Sequence, residues 1–279
     1  MWNHWVARTN FPLEPFKDFE TARWTWTRIG SLFPDTVSAV LMPNHFHLIL
    51  PSNSENALRR LRGLIGSIAR IINEKRPWQP IPPPSLIPDR QKLYRQIRYV
   101  ALNPCRKKLC ADPLEWYWSS HREVIGATVE RLESVVQMAA LLCDSKPSFR
   151  VRFHAYVSSD PSVSVSGTPL PKPAEPGPLV QRSLGEILSA AASALRVPIS
   201  VVQKPGPLRP LFIHLAHRHG WRRQPTHLAK ICDVCPHTVN AILRQSPPYG
   251  IEAGNLCLGD PRLRRGAIRQ EVDSGFSFQ

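Results

Sequence analysis

Val37-Ser38-Ala39-Val40-Leu41-Met42-Pro43-Asn44-His45-Phe46-His47-Leu48-Ile49-Leu50 is the stretch whose reading decides the fold. Two apolar runs flank Pro43-Asn44, a turn pair, so the stretch reads as a β-hairpin with strands Val37 to Met42 and His45 to Leu50. Alternate side chains of a strand share one face, about 7 Å apart along the chain. His45 and His47 therefore stand together on one face, and Phe46 and Leu48 turn the other way into a core. A pair of imidazoles on an exposed face can share a metal ion or a phosphate.

Outward from the hairpin, Trp5 to Thr9 reads as a short strand and Phe19 to Phe33 as a helix with apolar residues every three or four positions. A long helix follows from Asn56 to Asn73. Leu58, Leu61, Ile65, Ile68 and Ile72 form its buried stripe, with Arg59, Arg60, Arg62 and Arg70 mostly off it, as a solvated face or a grip for phosphates. Pro77 to Pro88 holds six prolines in twelve residues, which forbids a helix and leaves an irregular edge strand or loop. The order strand, helix, strand, strand, helix, strand is that of a ferredoxin-like α+β sandwich. The next helix runs from Asp89 to Leu102 and is closed by Asn103-Pro104. Tyr99 and Asn103, four apart, share a face of it, whereas Tyr94 lies about 140° round from Tyr99.

Composition narrows the partner. Lys and Arg number 36 against 21 Asp and Glu, for a net charge of +15 and a pI near 10.1. That balance is unusual for a metabolic enzyme and points to a polyanion, nucleic acid first. Residues 1–157 carry 22 basic and 13 acidic side chains and residues 158–279 carry 14 and 8, so both halves can touch a nucleic-acid backbone. No apolar run approaches the roughly 20 residues that span a bilayer, and Met1-Trp2-Asn3-His4-Trp5 is no signal peptide. No membrane partner is expected; the location is cytoplasmic and nucleoid-associated. Six cysteines do not make a disulfide scaffold here, and Cys232-Asp233-Val234-Cys235 has no second pair to complete a zinc site.

Proline marks the domain boundary. Residues 158–180, SSDPSVSVSGTPLPKPAEPGPLV, hold six prolines and few large apolar side chains. Residues 158–182 thus read as an extended linker between a first domain, 1–157, and a helical one, 183–250. Residues 251–279 are basic and low in pattern and are expected to lack fixed structure. In the second domain Ser183 to Val197 reads as an Ala-rich helix. Gln224 to Gln245, QPTHLAKICDVCPHTVNAILRQ, sets Leu228, Ala229, Val234, Val239 and Leu243 at helix-turn-helix positions. Asp233 takes the left-handed turn position, Pro236 opens the second helix, and His237, Thr238, Asn240 and Arg244 face DNA. An ordinary helical hairpin is the competing reading.

MPNHFHLIL (42–50), YVALNP (99–104) and WYWSS (116–120), in that order, resemble the single-tyrosine HUH transposases, specifically the REP-associated tyrosine transposases. In that family's pattern His-hydrophobic-His falls on His45-Phe46-His47, Tyr-x-x-x-Asn-Pro on Tyr99 to Pro104, and Trp-Ser-Ser on Trp118-Ser119-Ser120. The resemblance covers about residues 1–157 and implies the ferredoxin-like nuclease fold. It implies that His45, His47 and Asn103 hold a divalent cation, Mg²⁺ or Mn²⁺, that polarises the scissile phosphate. Tyr99 would then attack to give a 5′-phosphotyrosine and a free 3′ hydroxyl, conserving the bond for rejoining.

The implied substrate is single-stranded DNA beside palindromic hairpins, with a homodimer as a candidate assembly. Arg106, Lys107 and Lys108 form a basic step beyond Tyr99 that suits phosphates. Trp78, Trp116, Tyr117 and Trp118 divide between base stacking and core packing. The helix-turn-helix resembles that of the bacterial replication initiator's DNA-binding domain. The alternative function is a copy whose cleavage is weak or lost and which acts as a sequence-specific DNA-binding regulator. A replication or conjugation initiator nuclease shares the histidine pair but brings other motifs, none of which is present.

Overall fold

The architecture comes from a computed structural model that describes residues 1–54, 56–130, 146–161, 163, 165, 169–176 and 181–265. The chain divides into two compact units, Met1–Ile125 with Arg131–Pro169, and Gly126–Glu130 with Leu170–Gln279.

The first unit is α+β. Its elements are β1 (Trp2–Arg8), α1 (Phe19–Leu32), β2 (Ser38–Met42), β3 (His45–Pro51), α2 (Ala57–Ile71), β4 (Ser85–Ile87), α3 (Arg90–Arg106), α4 (Ser120–Ile125) and α5 (Lys146–Ser158). The strands form one sheet in the order β2-β3-β1-β4, every neighbouring pair antiparallel. With α1 between β1 and β2 and α2 between β3 and β4, this is a split β-α-β arrangement. Met42 faces His45 across the hairpin, so Pro43-Asn44 is its two-residue turn. Between Trp78, bridged to Thr9, and Ser85, paired with His4, the run Pro80 to Pro84 lacks most backbone donors; the ladder breaks there and β4 stays short.

Asp18 caps α1 by accepting from the Thr21 N–H at 2.7 Å. The stripe of α2 is Ala57, Leu61, Leu64 and Ile68; Leu58, Ile65 and Ile72, expected within it, are half-buried at its margin. The expected end of α3 at Asn103-Pro104 is corrected, because the helix runs on to Arg106. Pro104 costs one bond to the preceding turn, but Lys107 N–H donates to the Asn103 carbonyl at 3.0 Å and Leu109 N–H to that of Pro104 at 2.9 Å. Val100 to Cys105 are all buried, so packing holds the turn that proline weakens. A second correction concerns the sheet: the histidine face of β3 is not exposed but covered by α3, leaving His45 and His47 each 4% accessible.

The second unit holds α6 (Leu184–Leu195), α7 (Leu208–Arg218), α8 (Pro225–Cys232), α9 (Pro236–Leu243) and α10 (Ile251–Gly259). Ser183 caps α6 by accepting from the Glu186 N–H. The expectation of a structureless tail from residue 251 is corrected over Ile251–Gly259, a helix burying Ala253, Leu256, Cys257 and Leu258. Low patterning hid it; at Gly254, inside the helix, a Cβ would meet Leu215 Cδ1 at 2.7 Å. Part of the proline-rich stretch is docked on that helix, where Ala174 N–H donates to the Asn255 carbonyl at 2.9 Å. The rest of the expected linker, 162, 164, 166–168 and 177–180, and the tail 266–279 lie outside the described residues. Among the described residues no helix is long and apolar enough to cross a membrane.

Candidate active site

The antiparallel register of β1 and β3 sets Arg8 opposite His45, Val6 opposite His47 and His4 opposite Ile49. Directly opposed residues share a face, so His4, Arg8, His45 and His47 stand on one side of the sheet. His47 is the centre. Its Nδ1 lies 2.9 Å from His4 Nε2, its Nε2 lies 2.8 Å from Asn103 Nδ2, and its ring stacks on His4 with centroids 5.1 Å apart. His45 Nδ1 lies 2.7 Å from Asn44 Oδ1.

In the tautomers with both site rings protonated on Nδ1, His45 donates from Nδ1 to Asn44 Oδ1 and His47 donates from Nδ1 to His4 Nε2, while Asn103 Nδ2 donates to His47 Nε2. Gln96 Nε2 lies 3.1 Å from the other nitrogen of His4, Nδ1. Both site histidines are thereby left with a lone pair on Nε2, the arrangement in which outer partners orient metal-binding imidazoles.

Burial keeps these rings neutral. It lowers His4 and His45 to about 4, and His47 to about 2. Arg8 and Lys107 lower His45 further, and Arg8 also lowers His47, as do the neighbouring rings when protonated. The cluster is uncharged at neutral pH yet sits in a positive field, suited to an anion.

One stripe of α3 meets this face. Gln96, Tyr99, Asn103 and Arg106 fall within about 80° of one another round the helix. Asn103 is 2% exposed, locked on His47, whereas Tyr99 is 38% exposed with its ring 6.0 Å from His47 and 6.4 Å from His4. Arg106 Cζ lies 5.1 Å over the Tyr99 ring, and its Nη2 bonds Asp160 at 3.0 Å. Tyr94 faces elsewhere, edge-on to Tyr156 at 5.9 Å.

The other residues singled out in the sequence are dispersed. Arg59 and Arg62 are exposed on α2, while Arg60 donates to the Leu32 carbonyl and caps the end of α1. Lys107 and Lys108 are exposed just beyond α3. In the second unit His237, Asn240 and Arg244 are exposed along one side of α9, Thr238 is half-buried beside Cys235, and Asp233 is left-handed with φ 51°. The aromatics serve packing. Tyr117 and Trp118 are 3% exposed, Trp116 Nε1 donates to the Leu41 carbonyl, and Trp78 lies against Phe16 and Phe46. Trp118-Ser119-Ser120 is a clasp on β2: Leu41 N–H donates to the Trp118 carbonyl and Ala39 N–H to Ser120 Oγ.

His4, Arg8 and Gln96 were not expected here. A strand begun at Trp2 instead of Trp5 sets His4 on one face with Arg8, the β1–β3 register makes that the histidine face, and Gln96 precedes Tyr99 by one turn.

Among the described residues no group of three His, Cys, Asp or Glu is placed to hold a metal. The donor set to test is two imidazoles and the Asn103 amide. Adjacent ligands of an octahedral ion at about 2.1 Å stand about 3 Å apart, and Asn103 and His47 Nε2 stand at 2.8 Å. With the amide turned to present oxygen, Asn103 and His47 would stand at the spacing of neighbouring ligands, two imidazoles and an amide oxygen being a donor set that divalent cations accept.

No protein-family model matches the chain, and no curated protein matches it. Among solved structures, a REP-associated tyrosine transposase bound to a REP hairpin is similar to it, with a TM-score of 0.39 and 21% identity over 45% of this chain and 79% of that one.

Proposed function

We propose that this chain is a metal-dependent transposase or endonuclease that cleaves and rejoins single-stranded DNA near palindromic hairpins through Tyr99. The observation that carries the reading is the meeting of Tyr99 and Asn103, from one face of α3, with His45 and His47, from one face of β3. His45 Nε2, His47 Nε2 and the Asn103 amide would hold the cation, which when bound supplies charge neutralisation on a phosphate oxygen. Arg8 and Lys107, whose charges reach His45, orient the phosphate from the rim. The Tyr99 oxygen attacks phosphorus and the 3′ oxygen leaves, taking a proton from solvent as the phenol gives up its own. The product is a 5′-phosphotyrosine with the strand's bond energy kept. Arg106 braces the Tyr99 ring, so the nucleophile is aimed before substrate arrives.

The α8–α9 pair serves as a helix-turn-helix that reads duplex DNA through His237, Asn240 and Arg244, with a homodimer as the proposed active unit. The test is incubation of hairpin-bearing single strands with Mn²⁺. Wild type is expected to give cleaved strand and a covalent protein–DNA adduct, and Tyr99→Phe and His45→Ala/His47→Ala none. DNA binding without any adduct from wild type leaves the regulator reading instead.

A further inference from the structure

A cavity of about 580 Å³ opens between α3 and α5, on the side of α3 next to the Tyr99 stripe, and is lined by Tyr94, Arg95, Arg98, Arg152, Phe153 and Tyr156. That volume is in the range of small-molecule sites. Among the described residues, none that lines it is acidic. We propose that this cavity seats one nucleotide of a single DNA strand, its base against the aromatic wall and its phosphate on Arg95 and Arg152, beside the phosphate that Tyr99 attacks. The proposal rests on Tyr99 being the nucleophile only for that last clause.

The wall is built in advance. Arg98 Cζ lies 4.4 Å over the Tyr156 ring, its Nε is held by Asp160 at 3.1 Å, and Tyr94 packs edge-on against Tyr156. A guanidinium fixed by stacking and by a carboxylate forms a flat platform with its tyrosine, and a nucleobase stacks on such a surface whatever its sequence. Arg95 and Arg152 are exposed lining residues, and a guanidinium is the side chain that matches phosphate oxygens. Aromatic rings and arginines in one lining select a ligand that is planar and anionic at once. A paired base is already stacked within its duplex, so the occupant is a single strand.

The cavity is also joined to the site. Asp160 bonds Arg98 and Arg106 together, and Arg106 covers Tyr99. Arg95 precedes Tyr99 by one helical turn, about 6 Å along the axis and about 40° round. A nucleotide in the cavity is therefore a near neighbour, along the strand, of one at Tyr99.

The experiment uses full-length Tyr99→Phe, which binds without cutting, and a labelled hairpin with a single-stranded flank, read by fluorescence anisotropy. Each flank base is replaced in turn by an abasic unit. One position is expected to lose about tenfold in affinity, the scale of one base–aromatic stack. Adding Arg95→Ala and Arg152→Ala, both at exposed positions, is expected to weaken binding of the intact flank about tenfold and to reduce that abasic loss below twofold. Unchanged flank affinity, or an abasic loss that persists in full, overturns the proposal. So does equal competition by a free deoxymononucleotide, which makes the strand irrelevant. If the cavity behaves as expected but wild type forms no adduct, the reading of Tyr99 fails and the cavity stands; an adduct formed at full rate and affinity in Arg95→Ala/Arg152→Ala has the opposite meaning.

Discussion

His4 does for His47 what Asn44 does for His45: each is the hydrogen-bond partner of the ring's Nδ1 and so turns Nε2 towards the site. His4 is thus a positioning residue, and removing it should loosen the ring it holds. His4→Phe keeps the bulk and is expected to lower Mn²⁺ affinity by about tenfold to a hundredfold, with Asn44→Ala similar. Calorimetric titration of Mn²⁺ measures this, and unchanged affinity would show the contacts to be incidental. Acid titrates the same cluster. The folded protein holds His4 and His45 at about 4 and His47 at about 2, below the 6.5 of an unfolded histidine. The unfolded chain therefore binds more protons below pH 6.5, and stability falls as pH drops from about 6.5 towards 4 while staying level above 6.5. Urea unfolding at pH 7.5, 6 and 5 reads this slope; His47→Gln, which removes the most depressed group, is expected to flatten it.

At the scale of elements, the hairpin was legible because its pattern is local. Pro43-Asn44 sets the turn, alternation sets the faces, and both survive in the structure. The covering of the histidine face was not legible, since it depends on α3 returning across the sheet, a contact between residues 56 apart. The same packing carries α3 through Pro104, where local preference ends it. α10 was lost because its stretch is low in pattern, and its packing rests on glycines that permit close approach. A Cβ on Gly259 would run into the Lys172 carbonyl oxygen and stand 2.7 Å from the Ala174 nitrogen, backbone atoms that cannot step aside. Gly259→Ala is expected to destabilise the second unit by about 1–3 kcal/mol, the usual cost of overpacking. Thermal unfolding followed by circular dichroism checks it, with Gly185→Ala, where a Cβ meets nothing within 4 Å, as the control.

For the whole molecule the governing quantity is a net charge of +15. DNA affinity is expected to fall steeply with salt, and Arg244→Ala, at an exposed position just after α9, to reduce the slope of log K against log salt by about one. An unaltered slope would remove Arg244 from the DNA interface. Charge and motif order alone point to a nucleic-acid partner, and the salt dependence tests that expectation. Which cations face the chemistry was not legible in the sequence, because Arg106 lies on Tyr99 and Asp160 while Arg8, one strand away, stands opposite His45.

The central claim is that Tyr99 becomes covalently joined to DNA. The direct measurement is proteolysis and mass spectrometry of wild-type protein after reaction with a hairpin-bearing single strand and Mn²⁺. The account predicts a nucleotide carried through its 5′ phosphate on Tyr99 alone, the adduct being lost in His45→Ala/His47→Ala. An adduct on Tyr94, or one formed equally well without the two histidines, would contradict it.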